Sequence, residues 1–213
     1  MFGTFFYNET IKRSISVFGT LFNQIYTSKI QADGTVLAKN LVPISYGPKQ
    51  KFLLRLQDDL KARDGSVTSI SLPRMAFEIT SLALDPNQRL VKRAALEEAN
   101  ASDNTKKKLI KHYTTYDIGM SLYILAKNQD DGLQLVEQIL PYFQPEYTVT
   151  MKLVDSMSET RDVPITLNSV SMEDQYEGTF EERRVLEYTL EFTMKTYFFG
   201  PVYTGEVLSL IHI

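Results

Sequence analysis

Apolar residues recur with a helical period over residues 128–145, which predicts a central amphipathic helix. The side chains expected on its buried face are Leu133, Val136, Ile139, Leu140 and Phe143. Asn128 or Asp130 is suited to cap its start. Pro141 has no N–H to donate to the carbonyl of Glu137, so the last turn is expected to kink or end there. Strand patterns flank this helix on both sides, and we therefore expect it to dock on a sheet.

Two further stretches have the same period. A helix is predicted from Asn8 onward, with one apolar stripe formed by Ile11, Ile15, Phe18, Phe22 and Ile25. A shorter helix is predicted over residues 51–61, with its inward side chains at Phe52, Leu53, Leu56 and Leu60.

Alternation of apolar and polar residues predicts strands between these helices. The predicted strands cover 25–31 and 35–46, joined by a turn at Asp33-Gly34, then 67–82, a strand from Tyr116, 147–155 and 163–172. Pro43 indicates an edge or a bulge, because proline cannot donate to a sheet ladder. The alternation is clearest in the final strand, where the apolar positions are Leu186, Tyr188, Leu190, Phe192 and Met194.

Several segments do not follow these patterns. Residues 1–8 form an aromatic arm, residues 85–112 are polar and predict a mobile excursion or a long hairpin outside the core, and residues 203–213 are interpreted as a C-terminal tail. A turn is predicted over 156–161 and an acidic loop over 173–182. Residues 1–202 therefore predict a single mixed α+β domain, in which helices pack on one face of a mostly antiparallel sheet.

Composition narrows the function classes. The chain has 213 residues, of which 43% are hydrophobic, and this is enough to bury a core. A net charge of −3 gives no electrostatic case for binding nucleic acid or an anionic membrane. The absence of cysteine excludes disulfides, thiolate metal sites and cysteine nucleophiles. No apolar run is long enough to span a membrane, and the opening residues lack the pattern of a signal peptide.

A search for catalytic groups finds none with a plausible partner. The two histidines, His112 and His212, stand in a lysine-rich segment and near the chain end. No glycine-rich phosphate loop is present. The acidic pairs are more simply explained as solvated helix faces, loops or helix starts: Asp58-Asp59, Glu97-Glu98, Asp130-Asp131 and Glu181-Glu182. We therefore predict no catalytic residue, no metal site and no cofactor.

Two surface features have more than one interpretation. The lysine run Lys106-Lys107-Lys108 with Lys111 fits a solvated loop, a phosphate-backbone contact or a loop that meets an acidic protein surface. The first interpretation is favoured, because the chain is acidic overall and no aromatic residues interleave the lysines. The aromatic arm fits either a segment tucked into the core of its own domain or a contact with a neighbouring subunit.

Several motifs, taken in order and spacing over residues 1–202, resemble one family. The most specific is the run from Glu137 to Pro145, and the others are Met1-Phe2-Gly3, Phe6-Tyr7-Asn8, residues 42–46 with Lys49 and Phe52, Leu72-Pro73-Arg74, Arg183-Arg184, Leu190-Glu191-Phe192 and Gly200-Pro201-Val202. Together they are similar to the tail sheath stabiliser and completion protein, or sheath terminator, of contractile-tailed bacteriophages. Residues 85–112 depart from the expected pattern, and the segment after Val202 is short.

This resemblance implies a non-enzymatic structural protein of the virion, assembled in the bacterial host cytoplasm. It implies a homo-oligomer, a hexameric ring at the head-proximal end of the tail, with the tail sheath protein, the tail tube terminator and neck or head-completion proteins as partners. The candidate subunit or sheath interface comprises Met1, Phe2, Phe5, Phe6, Tyr7, Arg89, Lys92, Arg93, Lys106, Lys107, Lys108 and Lys111. The alternative is a DNA-associated head–tail adaptor that uses the lysine-rich loop.

Overall fold

Within the part of the chain that the structure describes, three helices interrupt a fold that is mostly strand. The computed structural model describes residues 5–30, 36–61, 71–88, 94–99, 106–157, 159–175 and 185–206. Helix α1 spans Thr10–Leu21, α2 spans Lys49–Lys61 and α3 spans Gln129–Ile139. A 3₁₀ turn, Leu140–Tyr142, follows α3 directly, so the regular helix ends just before Pro141 as its missing N–H predicts.

The strands form three sheets. They are β1 (Tyr26–Ile30), β2 (Val36–Leu41), β3 (Ile44–Tyr46), β4 (Arg74–Leu84), β5 (Ala95–Ala99), β6 (Lys106–Lys111), β7 (Thr114–Ala126), β8 (Glu146–Val154), β9 (Glu159–Gln175), β10 (Val185–Phe198) and β11 (Val202–Glu206). The main sheet has the order β3-β4-β7-β10-β9-β8, with only β3 and β4 parallel. A hairpin of β1 and β2 and a smaller sheet, β11-β6-β5, complete the architecture. The prediction of an α+β fold with a mostly antiparallel sheet is confirmed.

The core lies on one face of the main sheet. The alternating apolar side chains of β10 predicted from the sequence are all buried: Leu186, Tyr188, Leu190, Phe192 and Met194. Phe18 of α1 and Phe22, which caps its carboxyl end, pack edge-on and tilted against Phe192 at 5.3 and 5.5 Å between ring centroids. Such aromatic contacts add to the free energy of burying the rings, because their edges and faces carry opposite partial charges.

The buried face of α3 differs from the predicted one. Leu133 and Leu140 are 44% and 41% exposed, whereas Leu135 is fully buried beside Val136 and Ile139. Gly132 explains the rotation, because a Cβ at this position would lie 2.3 Å from the ring of Tyr188. The absence of a side chain lets the helix approach β10 closely along its Gly132 side, which turns Leu133 toward solvent.

The helices do not all lie on one face, so that part of the fold prediction is not confirmed. Phe52 of α2 packs with Ala76, Tyr123 and Leu125 in a second apolar cluster. These sheet residues alternate with Met75, Leu122 and Ile124 of the main core, which places α2 on the opposite face of the sheet. We call this opposite face the outer face. The side chains of Leu56 and Leu60 lie outside the described residues.

The β1–β2 hairpin is held by glutamines of α3. Gln138 donates its Nε2 to the carbonyl oxygen of Tyr26 at 2.8 Å, and Gln134 accepts from the N–H of Ser28 at 3.0 Å. Four residues along a helix and two along a strand both span about 6 Å, so the two glutamines can bond to β1 in place of a neighbouring strand. The predicted Asp33-Gly34 turn lies outside the described residues. The single strand predicted over 35–46 is broken at Val42 and Pro43, and β3 then forms the edge of the main sheet.

The polar segment 85–112 and the predicted tail meet in the smaller sheet. Strands β5 and β6 pair antiparallel, as the hairpin alternative expects, but Ile110 is fully buried in the main core rather than outside it. The start of the predicted tail is instead strand β11, which pairs with β6. Strand β9 extends beyond its predicted limits at both ends, into the turn predicted at 156–161 and the loop predicted at 173–182.

Candidate assembly surfaces

The described part of the aromatic arm lies on the surface. Phe5 is 93% exposed, Phe6 49% and Tyr7 65%. The next residue anchors the arm, because Asn8 donates its Nδ2 to the carbonyl oxygen of Phe199 at 3.1 Å. Of the two interpretations of the arm, tucking into the domain's own core does not hold for residues 5–7. Met1 and Phe2 lie outside the described residues.

The arm borders an open apolar groove. The groove is lined by Phe6 and Tyr7 of the arm, Ile11 and Ile15 of α1, and Phe198 and Phe199 at the end of β10. Glu9, at the junction of arm and helix, has a φ of 55°, in the left-handed region that costs about 1 kcal/mol for a residue with a side chain. This conformation redirects the chain at the helix start, so the arm leaves α1 beside the groove.

The lysine run forms the middle strand of the smaller sheet rather than a loop. Lys107 forms an ion pair with Glu97 at 2.9 Å, and Lys108 donates to the carbonyl oxygen of Ser156 at 2.6 Å. In the register of the sheet, Lys108 stands opposite Glu98 and Lys106 opposite Glu206. Glu97 and Glu98 of β5 therefore offset part of the positive charge of this strand.

The strand geometry also divides the lysines between two faces. Successive side chains of a strand point to opposite sides, so Lys106 and Lys108 share a face with the buried Ile110, while Lys107 and Lys111 share the other. The predicted basic cluster is thus not one contiguous patch. Arg89, Lys92 and Arg93 lie outside the described residues.

Ionic groups on the outer face tie elements together. Lys195 of β10 forms an ion pair at 2.9 Å with Asp85, a buried residue that follows β4. The hydrogen bond from Lys195 lowers the pKa of Asp85, and the same bond raises the pKa of Lys195. Burial raises the pKa of the neighbouring Asp117 carboxyl. The Lys195–Asp85 pair therefore joins the end of β4 to β10, next to Asp117 of β7.

A second set of polar contacts fixes α2. Lys49 at its start lies 2.5 Å from Glu187 of β10, whose side chain is 1% exposed. Burial lowers the pKa of Lys49, but the hydrogen bond and charge of Glu187 outweigh it, so the net shift is upward. Beside this pair, burial and a hydrogen bond to Glu78 raise the pKa of Tyr123 to about 12.

These polar groups do not form a catalytic or metal-binding constellation. Within the described ranges, no three His, Asp or Glu residues are grouped so as to hold a metal ion. His112 packs its ring edge-on against Tyr113, and His212 lies outside those ranges. The helices that the structure describes include none with the length and apolarity needed to cross a bilayer.

Two open stretches on the edges of the main sheet were not predicted from the sequence. Strand β3 pairs with β4 only at residues 75–77, and β8 pairs with β9 only at residues 159–166. Among the described residues, the outer sides of 78–84 in β4 and 167–175 in β9 have no partner strand. Both stretches expose apolar side chains. A β9 longer than its neighbour β8 would have indicated an open stretch. The sequence did not show this difference in length, because the alternation pattern does not define where a strand ends.

The chain has clear relatives among known proteins. It matches the family model of the T4-like virus Myoviridae tail sheath stabiliser over residues 5–212. It is 28% identical over 220 aligned positions to "Tail completion protein gp15" of Enterobacteria phage T4, an alignment that covers 98% of this chain and 76% of that protein. The family match therefore includes α1–α3, every described strand, and the arm from Phe5 onward.

Proposed function

This chain belongs to the T4-like Myoviridae tail sheath stabiliser family, and on that premise we propose that it forms a ring at the head-proximal end of the tail, where it terminates the contractile sheath. The family match over residues 5–212 is the observation that carries the proposal. A structural role in the phage tail, and hence a place in the virion, follows from membership itself. The ring and its position are the proposed parts.

In this proposal the chain has a tail-terminator-like fold, acts without catalysis and assembles as a homo-hexamer in the host cytoplasm. Its partners are the last layer of tail sheath protein, the tail tube terminator and the neck or head-completion proteins. A cyclic ring uses head-to-tail contacts, so each subunit needs two different, complementary surfaces. A stabiliser must also bind the extended sheath more tightly than the contracted sheath, because only a difference in affinity shifts an equilibrium between two states.

The described surface has exposed aromatic and basic side chains that could make such contacts. Phe5, Phe6 and Tyr7 expose aromatic rings on an anchored arm, and aromatic residues are enriched at protein interfaces. Lys106 and Lys111 of β6 are exposed and fit a contact with an acidic protein surface, and Lys107 and Lys108 stay candidates beside them. Met1, Phe2, Arg89, Lys92 and Arg93 stay candidates for the same contacts.

The DNA-associated adaptor is not favoured. Binding to a phosphate backbone needs a concentration of unpaired positive charge on one face. Here the lysines of β6 alternate between two faces, and Lys107 is already paired with Glu97. The net charge of −3 adds a weak repulsion from DNA at long range.

The proposal is tested on tails that carry a sheath but lack this protein. Purified chain is added, and electron microscopy with a gold-labelled antibody counts labelled tail ends and extended sheaths over time. We expect label at the head-proximal end only and a larger fraction of extended sheaths than in untreated tails. Absence of label from tails, or label along the whole sheath, contradicts the proposal.

A matched pair of variants locates the contribution of the arm. Replacing Phe5 and Tyr7 by alanine removes two exposed aromatic rings, and replacing Tyr142 and Tyr203, which are 69% and 48% exposed, removes two exposed rings elsewhere. We expect the arm variant to lose tail association and the control to keep it. Equal behaviour of both variants excludes the arm from the interface.

A further inference from the structure

We propose that copies of this chain join head to tail by continuing the main sheet, with residues 78–84 of β4 in one copy pairing with residues 167–175 of β9 in the next. This inference rests on the proposed ring and adds the contact that closes it. It identifies the two complementary surfaces as the open edges of one sheet.

The two edges of the main sheet are open in opposite halves. Among the described residues, each edge has a covered half and an open half. On the β4 side, β3 covers residues 75–77 and leaves 78–84 open, so the free half lies toward the carboxyl end of β4. On the β9 side, β8 covers residues 159–166 and leaves 167–175 open. In the rows of the sheet Leu82 is level with Ile118 and Met172 is level with Ile124, so the two open halves lie six residues of β7 apart along the strands. They meet when the next copy is displaced along the strands by that distance, about 20 Å.

Strand direction supports the same pairing. Strands β4, β7, β10 and β9 are successively antiparallel, so β4 and β9 run in opposite directions. A copy placed beside another in the same orientation, and displaced by those six residues along the strands, therefore brings β4 and β9 together as an antiparallel pair. Such pairing satisfies the backbone N–H and C=O groups on both open edges, which are otherwise a template for another strand.

Exposed apolar side chains mark the two stretches. Leu82 and Leu84 are 51% and 56% exposed, and Val170 and Met172 are 41% and 55% exposed. All four project from the same face of the sheet as the main core, because Leu82 is opposite Ile118, Val170 opposite Leu190 and Met172 opposite Tyr188. They extend the core layer to both edges, where each copy alone leaves them in water.

These positions fix a register. Leu82 placed opposite Met172 brings Leu84 opposite Val170, so both apolar pairs form across the joint. The same register sets Ala83 opposite Ser171 on the outer face, where both are small and exposed. Apolar cross-strand pairs stabilise antiparallel sheets, and a slip by one residue would place these side chains on the wrong face.

A two-fold arrangement fits the surface less well. If β4 paired with β4 of a second copy, both β9 edges and their apolar side chains would stay exposed, and a β9–β9 pair would leave the β4 edges exposed in the same way. Only the head-to-tail joint uses both edges of every copy, and it is also the type of contact that a closed ring requires.

Disulfide trapping tests the joint directly, because the chain contains no cysteine. The double variant Ala83→Cys, Ser171→Cys places two thiols across the proposed contact, within the Cα separation of about 4.4–6.8 Å that a disulfide needs. Within one copy the same positions lie on strands three spacings apart, about 14 Å across the sheet, and six residues of β7 apart along it, about 20 Å, so they cannot bridge. After mild oxidation we expect a non-reducing gel to show a ladder of covalent oligomers that ends at the size of the native ring.

Three controls make the result specific. Each single cysteine variant should stay monomeric on the gel, while a mixture of the two should give dimers and nothing larger. The pair Ala83→Cys, Thr148→Cys moves the second thiol to an exposed position on β8, the last strand of the sheet, and should give no ladder; a ladder from this pair would show that copies join without the displacement and would overturn the β4–β9 joint. Dimers from a single variant would indicate a two-fold contact and overturn the head-to-tail joint.

Native mass measurement on the same samples separates this inference from the proposed function. A ring that forms in solution without disulfide ladders from the double variant overturns the β4–β9 joint and leaves the ring in place. A chain that stays monomeric at all concentrations and on tails overturns both. Met172→Lys, which adds a charge at an exposed edge position, should abolish ring formation, whereas Tyr142→Lys should not.

Discussion

The rotation of α3 can be measured by the same substitution at two positions of one helix. Leu135 is fully buried in the core, and Leu133, two residues earlier, is 44% exposed. Leu135→Ala removes three buried carbon groups and leaves a cavity, which costs about 2–5 kcal/mol of the free energy of unfolding. Leu133→Ala loses at most part of the transfer term and gains slightly in helix propensity, so its cost is below about 1 kcal/mol.

The assay is urea unfolding followed by far-ultraviolet circular dichroism, because the chain has no tryptophan. All variants are compared at one protein concentration, since assembly would add to apparent stability. We expect the unfolding midpoint of Leu135→Ala to fall well below that of Leu133→Ala with similar slopes. An equal or larger loss for Leu133→Ala would refute the structure of this helix and restore the face predicted from periodicity.

Three further predictions follow from individual contacts. Gly132→Ala should lower the free energy of unfolding by about 1 kcal/mol or more, because overpacking against Tyr188 outweighs the gain in helix propensity; a more stable variant in urea unfolding would contradict this. The pKa of Tyr123 is raised to about 12, so its contribution to stability is complete below pH 10, the unfolded value, and is lost as the pH rises to 12. Tyr123→Phe should therefore lessen the fall in stability over this range by about 2–3 kcal/mol, and an unchanged pH profile would argue against the raised pKa. Because Lys107 is paired with Glu97, the parent protein should show no salt-dependent retention on DNA-cellulose, and retention that is lost in Lys107→Ala would revive the DNA interpretation.

The sequence predicted those elements best in which one face is buried and the other is exposed to solvent. Strand β10 is such a case, because its apolar residues alternate without interruption from Leu186 to Met194. Each side chain meets the core on one face, so periodicity alone defines the strand. The end of α3 at Pro141 was predicted for a similarly local reason, the missing N–H.

Predictions failed where tertiary contacts decided between local alternatives. Periodicity placed Leu133 in the core because it counts only apolar side chains, and it cannot show that Gly132 faces Tyr188. Strand β11 was interpreted as part of a tail because a short terminal segment has no visible partner in sequence. Its partner, β6, lies far away along the chain, and the lysine-rich sequence of β6 does not have the alternation typical of a strand.

The assembly surfaces depend on structure even more strongly. The sequence left two alternatives for the arm, packing into the core of its own domain or contact with a neighbouring subunit. Only the fold shows that Phe5–Tyr7 are exposed, which removes the first alternative for these residues. The open edges of β4 and β9 were not predicted, because an edge is defined by where a neighbouring strand stops. Leu82 and Met172 look like ordinary core positions in the alternation pattern, and their exposure appears only once β3 and β8 are seen to be shorter than their neighbours.

The most direct measurement of the central claim is a set of two-dimensional class averages of the purified particle, with native mass measured on the same preparation. A homo-hexameric ring would appear as a six-fold annulus with the mass of six chains of 24.4 kDa. A particle that stays a single chain, both in solution and in the presence of sheathed tails, would contradict it.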